Sequence, residues 1–125
     1  MDEALLKKLR YKEGRAVILG APDGYAPGLE LGDAPSGEYD FVQLFVRDAA
    51  EVAAKLPTVI AHLKPDAVFW LTYPKQSSKV KTDVNRDTLA AQVQELTAFR
   101  PVSNVAIDDT WSALRLRHRD LVRSK

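Results

Sequence analysis

The chain has 125 residues, of which 46% are hydrophobic and 28% charged, a composition typical of a single soluble globular domain. It has no cysteine and two histidines, which excludes disulfides, thiol nucleophiles and metal centres built from cysteines or several histidines. No apolar run approaches the roughly 20 residues that cross a bilayer, and the acidic N-terminus is unlike a signal peptide. We therefore expect one domain over residues 1–125, located in the cytoplasm and without membrane contact.

Charge is distributed unevenly along the chain. The net charge of +1 combines −3 over residues 1–74 with +4 over residues 75–125. A basic half favours contact with anions such as phosphates, although the composition is less basic than that of dedicated nucleic-acid binders.

Short apolar runs bounded by glycine or aspartate predict the first strands. An amphipathic helix over residues 2–11 comes first, with leucines at helical spacing. The apolar runs that follow are typical of strands buried on both faces, as in a parallel sheet covered by helices. They span residues 15–20, 40–46 and 66–73.

Two helices are expected to alternate with these strands. The first begins at Asp48, whose side chain has the capping-box spacing to Glu51. Pro57 lacks the backbone N–H of an interior helical residue, so we expect a kink there or a second short helix. The next helix is predicted to begin near Thr82 or Asn85.

The chain ends with a predicted antiparallel hairpin. Strands at 102–107 and 111–118 are separated by three residues, which is too short for a crossover connection. In the second strand, Leu114 to Arg117 alternate apolar and basic, as in a strand with one wetter face.

This order of elements resembles the C-terminal part of the class I S-adenosylmethionine-dependent methyltransferase fold. The segment GEYDFV at 37–42 is similar to the "-FDLV-" entry to the fourth strand of that fold. LKPDAV at 63–68 is similar to the "LKPGG" turn into its fifth strand. The whole chain also resembles a small uncharacterised bacterial family of truncated methyltransferase-like proteins, through FVQLFV, YPKQSSKVKTDVNRD and VAIDDTWSALRLR.

The resemblance implies an α/β fold, namely a single Rossmann-like domain. We expect a mostly parallel sheet of about five strands, closed by the antiparallel hairpin. By analogy the strand order across the sheet is 15–20, 40–46, 66–73, 111–118, 102–107.

The chain departs from that family where the cofactor would bind. The family has a glycine-rich loop after its first strand and an acidic residue at the end of its second. Here the loop reads GAPDGY at 20–25, without G-x-G-x-G, and residues 21–39 are too few for two further strands with their crossovers. The adenosine half of the site is therefore expected to be missing, and no cofactor is predicted.

The missing strands would leave residues 15–20 as an apolar edge strand, which invites pairing. Either residues 28–34 fold back over it or a second copy of the chain does. We favour the first arrangement, and expect a monomer or a weak homodimer.

Ligands of open α/β sheets bind at the carboxyl ends of the strands. The loop at 73–83 combines lysines and serines with a following helix N-terminus, which suits an anion, although it lacks the P-loop glycines. The aspartates after residue 107 could act as a base or metal ligand, but a turn-stabilising role is the favoured interpretation. The candidate residues for a ligand or anion site are Asp23, Tyr25, Tyr73, Lys75, Ser77, Ser78, Lys79, Lys81, Asp108, Asp109 and Trp111.

We favour a non-catalytic binding or scaffold domain with a degenerate methyltransferase-like site, whose partner is a small anionic ligand or a protein. Two alternatives stay open: a small enzyme, and a nucleotide or nucleic-acid binder that uses the basic loop 73–83. The sequence pattern identifies no catalytic residue and no metal ligand.

Overall fold

The computed structural model describes residues 3–11, 14–22, 25, 29–32, 36–75 and 84–118. Three helices and six strands lie in these ranges. In chain order they are α1 (Glu3–Lys8), β1 (Ala16–Leu19), β2 (Leu31–Gly32), β3 (Tyr39–Phe45), α2 (Ala49–Ile60), β4 (Leu63–Pro74), α3 (Arg86–Leu96), β5 (Phe99–Ala106) and β6 (Trp111–His118). None of the helices in these ranges is long and apolar enough to span a membrane.

The six strands form one sheet in the order β2-β1-β3-β4-β6-β5. The pairs β2–β1, β1–β3 and β3–β4 are parallel, whereas β6 runs antiparallel to both β4 and β5. The predicted order of five strands and the C-terminal hairpin are therefore confirmed. The sheet has one strand more than expected, because β2 is present beside β1.

The strand β2 covers the edge of β1. Ile18 lies opposite Leu31, and the Ile18 amide donates to the Glu30 carbonyl over 2.8 Å. The chain thus supplies its own edge pairing, as the favoured sequence interpretation expected. A two-residue strand is too short for a periodic pattern to give its bounds, so the sequence predicted that residues 28–34 cover β1 but did not predict a sixth strand.

One face of the sheet, called here the helical face, is covered by α2 and α3. From α2, Val52, Leu56 and Val59 are buried, and they join Leu89 and Val93 of α3 in the largest apolar cluster. Burial of this continuous stripe from both helices supplies most of the packing on this face.

The start of α2 is as predicted, and its middle excludes one of the two alternatives expected at Pro57. The Asp48 side chain accepts the Glu51 amide over 2.9 Å, which caps the helix. The helix then continues through Pro57 as one element, so the expected second short helix is wrong. Pro57 removes one backbone hydrogen bond, and the buried side chains on either side of it keep the helix intact.

The other face, called here the opposite face, has a lighter cover. The short helix α1 places Leu9 against Phe41, Trp70 and Ala113. The Trp70 indole N–H donates to the Leu9 carbonyl over 2.7 Å, which fixes the end of α1 to the middle of the sheet. Beside α1, Tyr25 and other residues that follow β1 pack over the carboxyl half of this face.

Element boundaries differ by three residues from the predictions at three places, and one of these is the start of β4, which lies at Leu63 instead of residue 66. The predicted helix 2–11 ends earlier, at Lys8, and Arg10 has a φ of 63° just beyond it. The strand β5 begins at Phe99 instead of residue 102, with a register irregularity between Pro101 and Ser103. Because β5 lies at the edge of the sheet, it tolerates a proline and a bulge that a central strand would not.

Candidate functional site

The candidate residues separate into those that the structure places and those that it does not. Asp23, Ser77, Ser78, Lys79 and Lys81 lie outside the described residues, as does most of the loop 73–83. The other candidates lie near the carboxyl ends of the parallel strands. These are Tyr25, Tyr73, Lys75, Asp108, Asp109 and Trp111.

An aromatic cluster closes the opposite face at the carboxyl ends of β1 and β3. The ring centroids of Tyr25 and Phe45 are 4.8 Å apart, and those of Phe45 and Trp111 are 5.0 Å apart, both in edge-on geometry. Buried Ile18 completes the cluster. The structure therefore brings Tyr25 and Trp111 together through Phe45, a residue that the sequence analysis did not single out.

A chain of polar side chains runs from this cluster into the sheet. The Tyr25 hydroxyl donates to the Gln43 Oε1 atom over 2.7 Å, and the Gln43 amide donates to the Thr72 hydroxyl over 3.0 Å. Gln43 and Thr72 are both completely buried. Because unpaired polar groups are costly at such positions, this chain holds Tyr25 down on the sheet.

Tyr73 does not join this group. Its side chain belongs to the apolar cluster on the helical face, and its hydroxyl accepts from the Asn104 side-chain amide over 3.1 Å. Successive side chains of a strand point to opposite faces, so Thr72 and Tyr73 serve different faces. Tyr73 and Tyr25 are thus separated by the sheet.

Asp108, the first of the two aspartates after β5, stabilises a turn. The Asp108 Oδ1 atom accepts the amides of Thr110 and Trp111, each over 2.8 Å, which confirms the turn-stabilising prediction for Asp108. Asp109 is exposed. The backbone of Lys75 is fixed to the same turn, since its amide donates to the Thr110 carbonyl over 2.7 Å.

A charged group lies at the N-terminus of α2, beside the end of β1. Glu51 receives the Lys55 ammonium at 2.8 Å and the Arg47 backbone amide at 2.7 Å. Burial raises the pKa of Glu51, but the Lys55 and Arg47 hydrogen bonds outweigh it, so the pKa lies below its usual value. Glu51 is thus engaged by the Lys55 ammonium and by the Arg47 backbone.

The backbone after β1 tests whether a methyltransferase cofactor fits. The Gly20 amide donates to the Gly32 carbonyl over 3.3 Å, and the Tyr25 amide closes a turn onto the Pro22 carbonyl over 3.2 Å. Pro22 has no amide hydrogen. A glycine-rich cradle would direct such amides at a ligand; among the described residues of this loop, Gly20, Pro22 and Tyr25 do not offer an amide to one.

The backbone conformation and the close neighbours of residue 20 explain why it is a glycine. Its φ is +70°, and a Cβ atom there would lie 3.1 Å from the Phe45 carbonyl oxygen and 3.7 Å from the Lys55 ammonium. Glycine is thus required for the tight passage of the chain from β1 across the end of β3.

Two further observations concern possible metal and ligand sites elsewhere in the described part of the chain. Among the described side chains, no group of three or more histidine, aspartate or glutamate residues could hold a metal ion. A groove of about 260 Å³ lies between the first turn of α3 and β5, lined in part by Arg86, Ala90, Val102 and Leu114. None of the candidate residues lines this groove.

The polar network that sequence reasoning missed lies at the amino ends of β1 and β3. The Arg15 guanidinium lies 4.4 Å from the centroid of the Tyr39 ring and donates to the Glu38 carbonyl. The Arg15 backbone amide hydrogen bonds to Asp40, and this bond together with the Lys64 ammonium lowers the pKa of Asp40. This end of the sheet lies away from the ligand edge, so we assign it to stability.

Comparison with known proteins shows similarity of structure only. No family model matches the chain, and no curated protein matches it. A ribosomal protein L11 methylase from Lactobacillus delbrueckii subsp. bulgaricus superposes with a TM-score of 0.61 at 9% identity, over 92% of this chain and 75% of that one. The glycopeptide N-methyltransferase MtfA superposes with a TM-score of 0.62 at 10% identity, over 92% of this chain and 88% of that one.

The B. subtilis M1A22 tRNA methyltransferase TrmK is similar with a TM-score of 0.54 at 11% identity, over 94% of this chain and 66% of that one. At such identities the likeness shows the fold alone. The chain has the Rossmann-like fold of class I S-adenosylmethionine-dependent methyltransferases, as the sequence resemblance implied.

Proposed function

We propose that the chain is a single non-catalytic binding or scaffold domain that neither binds S-adenosylmethionine nor transfers methyl groups. Fold alone does not confer activity, which depends on the residues at the site. The observation that carries the proposal is the Tyr25 side chain, which lies over the carboxyl half of the sheet, against Phe45 and hydrogen bonded to Gln43. Ligands of a doubly wound sheet bind outside the carboxyl ends of its strands, and the packing of Tyr25 on the sheet beside that edge supports the proposal.

The backbone supports the same conclusion. The amides of Gly20 and Tyr25 are engaged within the chain, and Pro22 has none to offer. Hydrogen bonds to charged ligand groups contribute about 1.5–3 kcal/mol each. Because every 1.4 kcal/mol or so changes affinity tenfold, loss of two such bonds moves a micromolar ligand toward the millimolar range.

A second candidate function, cofactor binding at a rebuilt site, has one observation in its favour. The strand β2 lies beside β1, as a second strand would, and exposed Glu30 immediately precedes it. The family's ribose-binding carboxylate stands at the end of the second strand, and Glu30 would have to replace it from the other end.

Titration calorimetry of the full chain with S-adenosylmethionine tests the proposal. We expect no binding with a Kd below about 50 μM, which corresponds to a binding free energy on the order of −6 kcal/mol. A tighter Kd would overturn the proposal. In that event the variant Glu30→Gln, with unchanged thermal unfolding, identifies the second candidate if it abolishes binding.

A further inference from the structure

The outer edge of the strand β5 is open. Because β5 comes last in the strand order, β6 is its only neighbour among the described strands. The Ile107 amide donates to the Trp111 carbonyl, so these two residues form a hydrogen-bonded pair of the hairpin. Bonded and non-bonded pairs alternate along antiparallel strands, which makes Ala106 and Asn104 the non-bonded residues of β5. The backbone amides and carbonyls of Asn104 and Ala106 therefore point away from β6.

Two features limit the open part of this edge. At one end the Lys8 ammonium donates to the Ala106 carbonyl over 3.0 Å. At the other end Pro101 has no amide hydrogen, and a register irregularity separates it from Ser103. Lysine, proline and bulges at a strand edge oppose the pairing of long strands. The open stretch is thus residues 102–106, which span about 17 Å.

A groove runs beside this stretch on the helical face. It has a volume of about 260 Å³ and lies between the first turn of α3 and β5. Ala90, Val102 and Leu114 give it apolar walls, and Val102 is 38% exposed. Pockets for whole small molecules have volumes of about 300–1,000 Å³, so this groove has room for one or two side chains. An open strand edge beside an apolar groove is the arrangement that binds extended peptides by strand addition.

Charge at the groove is balanced. Arg86 and Asp87 line its α3 side, with the Arg86 Nε atom 3.9 Å from the Asp87 carboxylate, and their side chains are 67% and 91% exposed. An anion would meet the carboxylate there, and a cation would meet the guanidinium. The charges of the groove are therefore complementary to an uncharged apolar segment, whose binding depends little on salt.

We propose that β5 and this groove bind an extended, apolar peptide segment of another protein. The segment adds a strand beside residues 102–106, exchanges backbone hydrogen bonds with Asn104 and places one aliphatic or aromatic side chain in the groove. A second copy of the chain fits less well, because it would bring its own Pro101 and Lys8 to the same edge. Stable interfaces use about 20–30 residues on each side, far more than this open stretch offers.

This inference names a kind of partner for the binding domain proposed above. It rests on that proposal for the binding role, but it does not depend on whether the carboxyl edge binds S-adenosylmethionine. The groove lies at the opposite end of the strand order from β1, where the cofactor test applies.

Fluorescence anisotropy of labelled peptides with the full chain tests the inference. The probes have about eight residues, with threonine alternating with valine, serine at both ends, and valine, leucine or phenylalanine at the centre. Control peptides carry N-methyl groups on alternate backbone nitrogens, which removes strand hydrogen bonds and keeps the side chains. We expect at least one probe to bind saturably, at least about tenfold more tightly than its N-methylated control, and equally within about twofold at about 50 and 200 mM salt.

Matched variants locate the binding site. Ala90→Lys places a long charged side chain in the groove, whereas Ala91→Lys adds the same side chain at the next, exposed position of α3, outside the groove. The first should weaken binding at least about tenfold and the second less than about twofold. Ala106→Pro removes an amide that β6 does not use, and should weaken binding about fivefold. All three variants should keep the melting temperature of the parent chain within about 5 °C.

Absence of saturable binding by every probe would overturn the inference. Equal losses for Ala90→Lys and Ala91→Lys would also overturn it, as would equal affinities for a probe and its N-methylated control. Analytical ultracentrifugation of the chain alone tests the other occupant: a dimer that Ala90→Lys abolishes would assign this edge to a second copy and contradict the inference. Calorimetry with S-adenosylmethionine reports on the carboxyl edge, so the proposed function and this inference fail in separate experiments.

Discussion

The two faces of the sheet are closed in different ways. The helical face is covered by α2 and α3, whose apolar stripes merge into one cluster. The opposite face is covered by the six-residue helix α1 and by the residues that follow β1, with two smaller clusters. The helical face is stabilised by apolar side chains that recur at helical spacing along α2 and α3. The other depends on single long-range contacts, such as the bond from Trp70 to Leu9.

The two faces differ in how far their cover can be predicted from local patterns in the sequence. Periodic burial closes the helical face, and such patterns are local in sequence. The opposite face carries a feature that distinguishes this chain from the methyltransferase fold that it resembles, namely Tyr25 over the carboxyl edge. We therefore expect that face to contribute less to stability.

Truncation of one fully buried leucine on each face measures how much each face contributes to stability, and it should change the free energy of unfolding more than the other variants below. Leu56→Ala on the helical face should cost about 3 kcal/mol in the free energy of unfolding, because it leaves a cavity between a long helix and the sheet. Leu9→Ala on the opposite face should cost about 2 kcal/mol, since the end of a short helix can collapse onto the gap. Urea unfolding monitored by circular dichroism measures both.

A larger loss of unfolding free energy for Leu9→Ala than for Leu56→Ala would contradict the expectation that the opposite face contributes less to stability. Both leucines have 0% exposure, so the difference in cost reports on their surroundings and not on burial.

The buried polar chain on the opposite face gives a smaller effect. Gln43→Leu removes the partner of both the Tyr25 hydroxyl and the Thr72 hydroxyl, and should cost about 1–2 kcal/mol. Adding Thr72→Val removes one of the stranded groups, so the double variant should be less destabilised than the sum of the single variants. Additive costs in urea unfolding would show that the chain of hydrogen bonds does not act as a unit.

The smallest effect concerns acid stability at the start of α2, where the helical face reaches the ligand edge. The folded pKa of Glu51 lies below its usual value, so its contribution is present above about pH 4.5 and is lost as the pH falls through the folded pKa. Glu51→Gln should cost about 0.5 kcal/mol at neutral pH, as is typical of ion pairs that water still reaches. The variant should also lose less stability than the parent chain on acidification. Equal acid sensitivity in unfolding experiments at pH 3 to 7 would contradict this role.

Much of the fold follows from patterns that the sequence displays. The strand positions, the hairpin and the Asp48 cap were predictable because apolar runs and capping spacings are local signals, whereas the strand order was predicted from the resemblance to the methyltransferase fold. The two-residue strand β2 carries no such signal. The passage of α2 through Pro57 depends on tertiary packing that outweighs local propensity.

The candidate site was less predictable. Sequence reasoning placed Tyr25 and Trp111 at the correct edge, yet it could not see that Phe45 joins them or that Gln43 receives the Tyr25 hydroxyl. These contacts link residues far apart in sequence, and strand parity alone cannot reveal them. The alternation of side chains along β4 does separate Tyr73 from Tyr25 and Trp111, once the register of that strand is known.

We propose that the chain's own residues fill the ligand edge of a methyltransferase-like sheet. Two-dimensional NMR of the isotope-labelled chain, with S-adenosylmethionine added to about 50 μM, tests it at the site itself. The account predicts that the Tyr25 ring and the Gly20 amide keep their resonance positions throughout the titration. Saturable shifts of both resonances would contradict the account, because they would show that the cofactor displaces Tyr25 and occupies the edge.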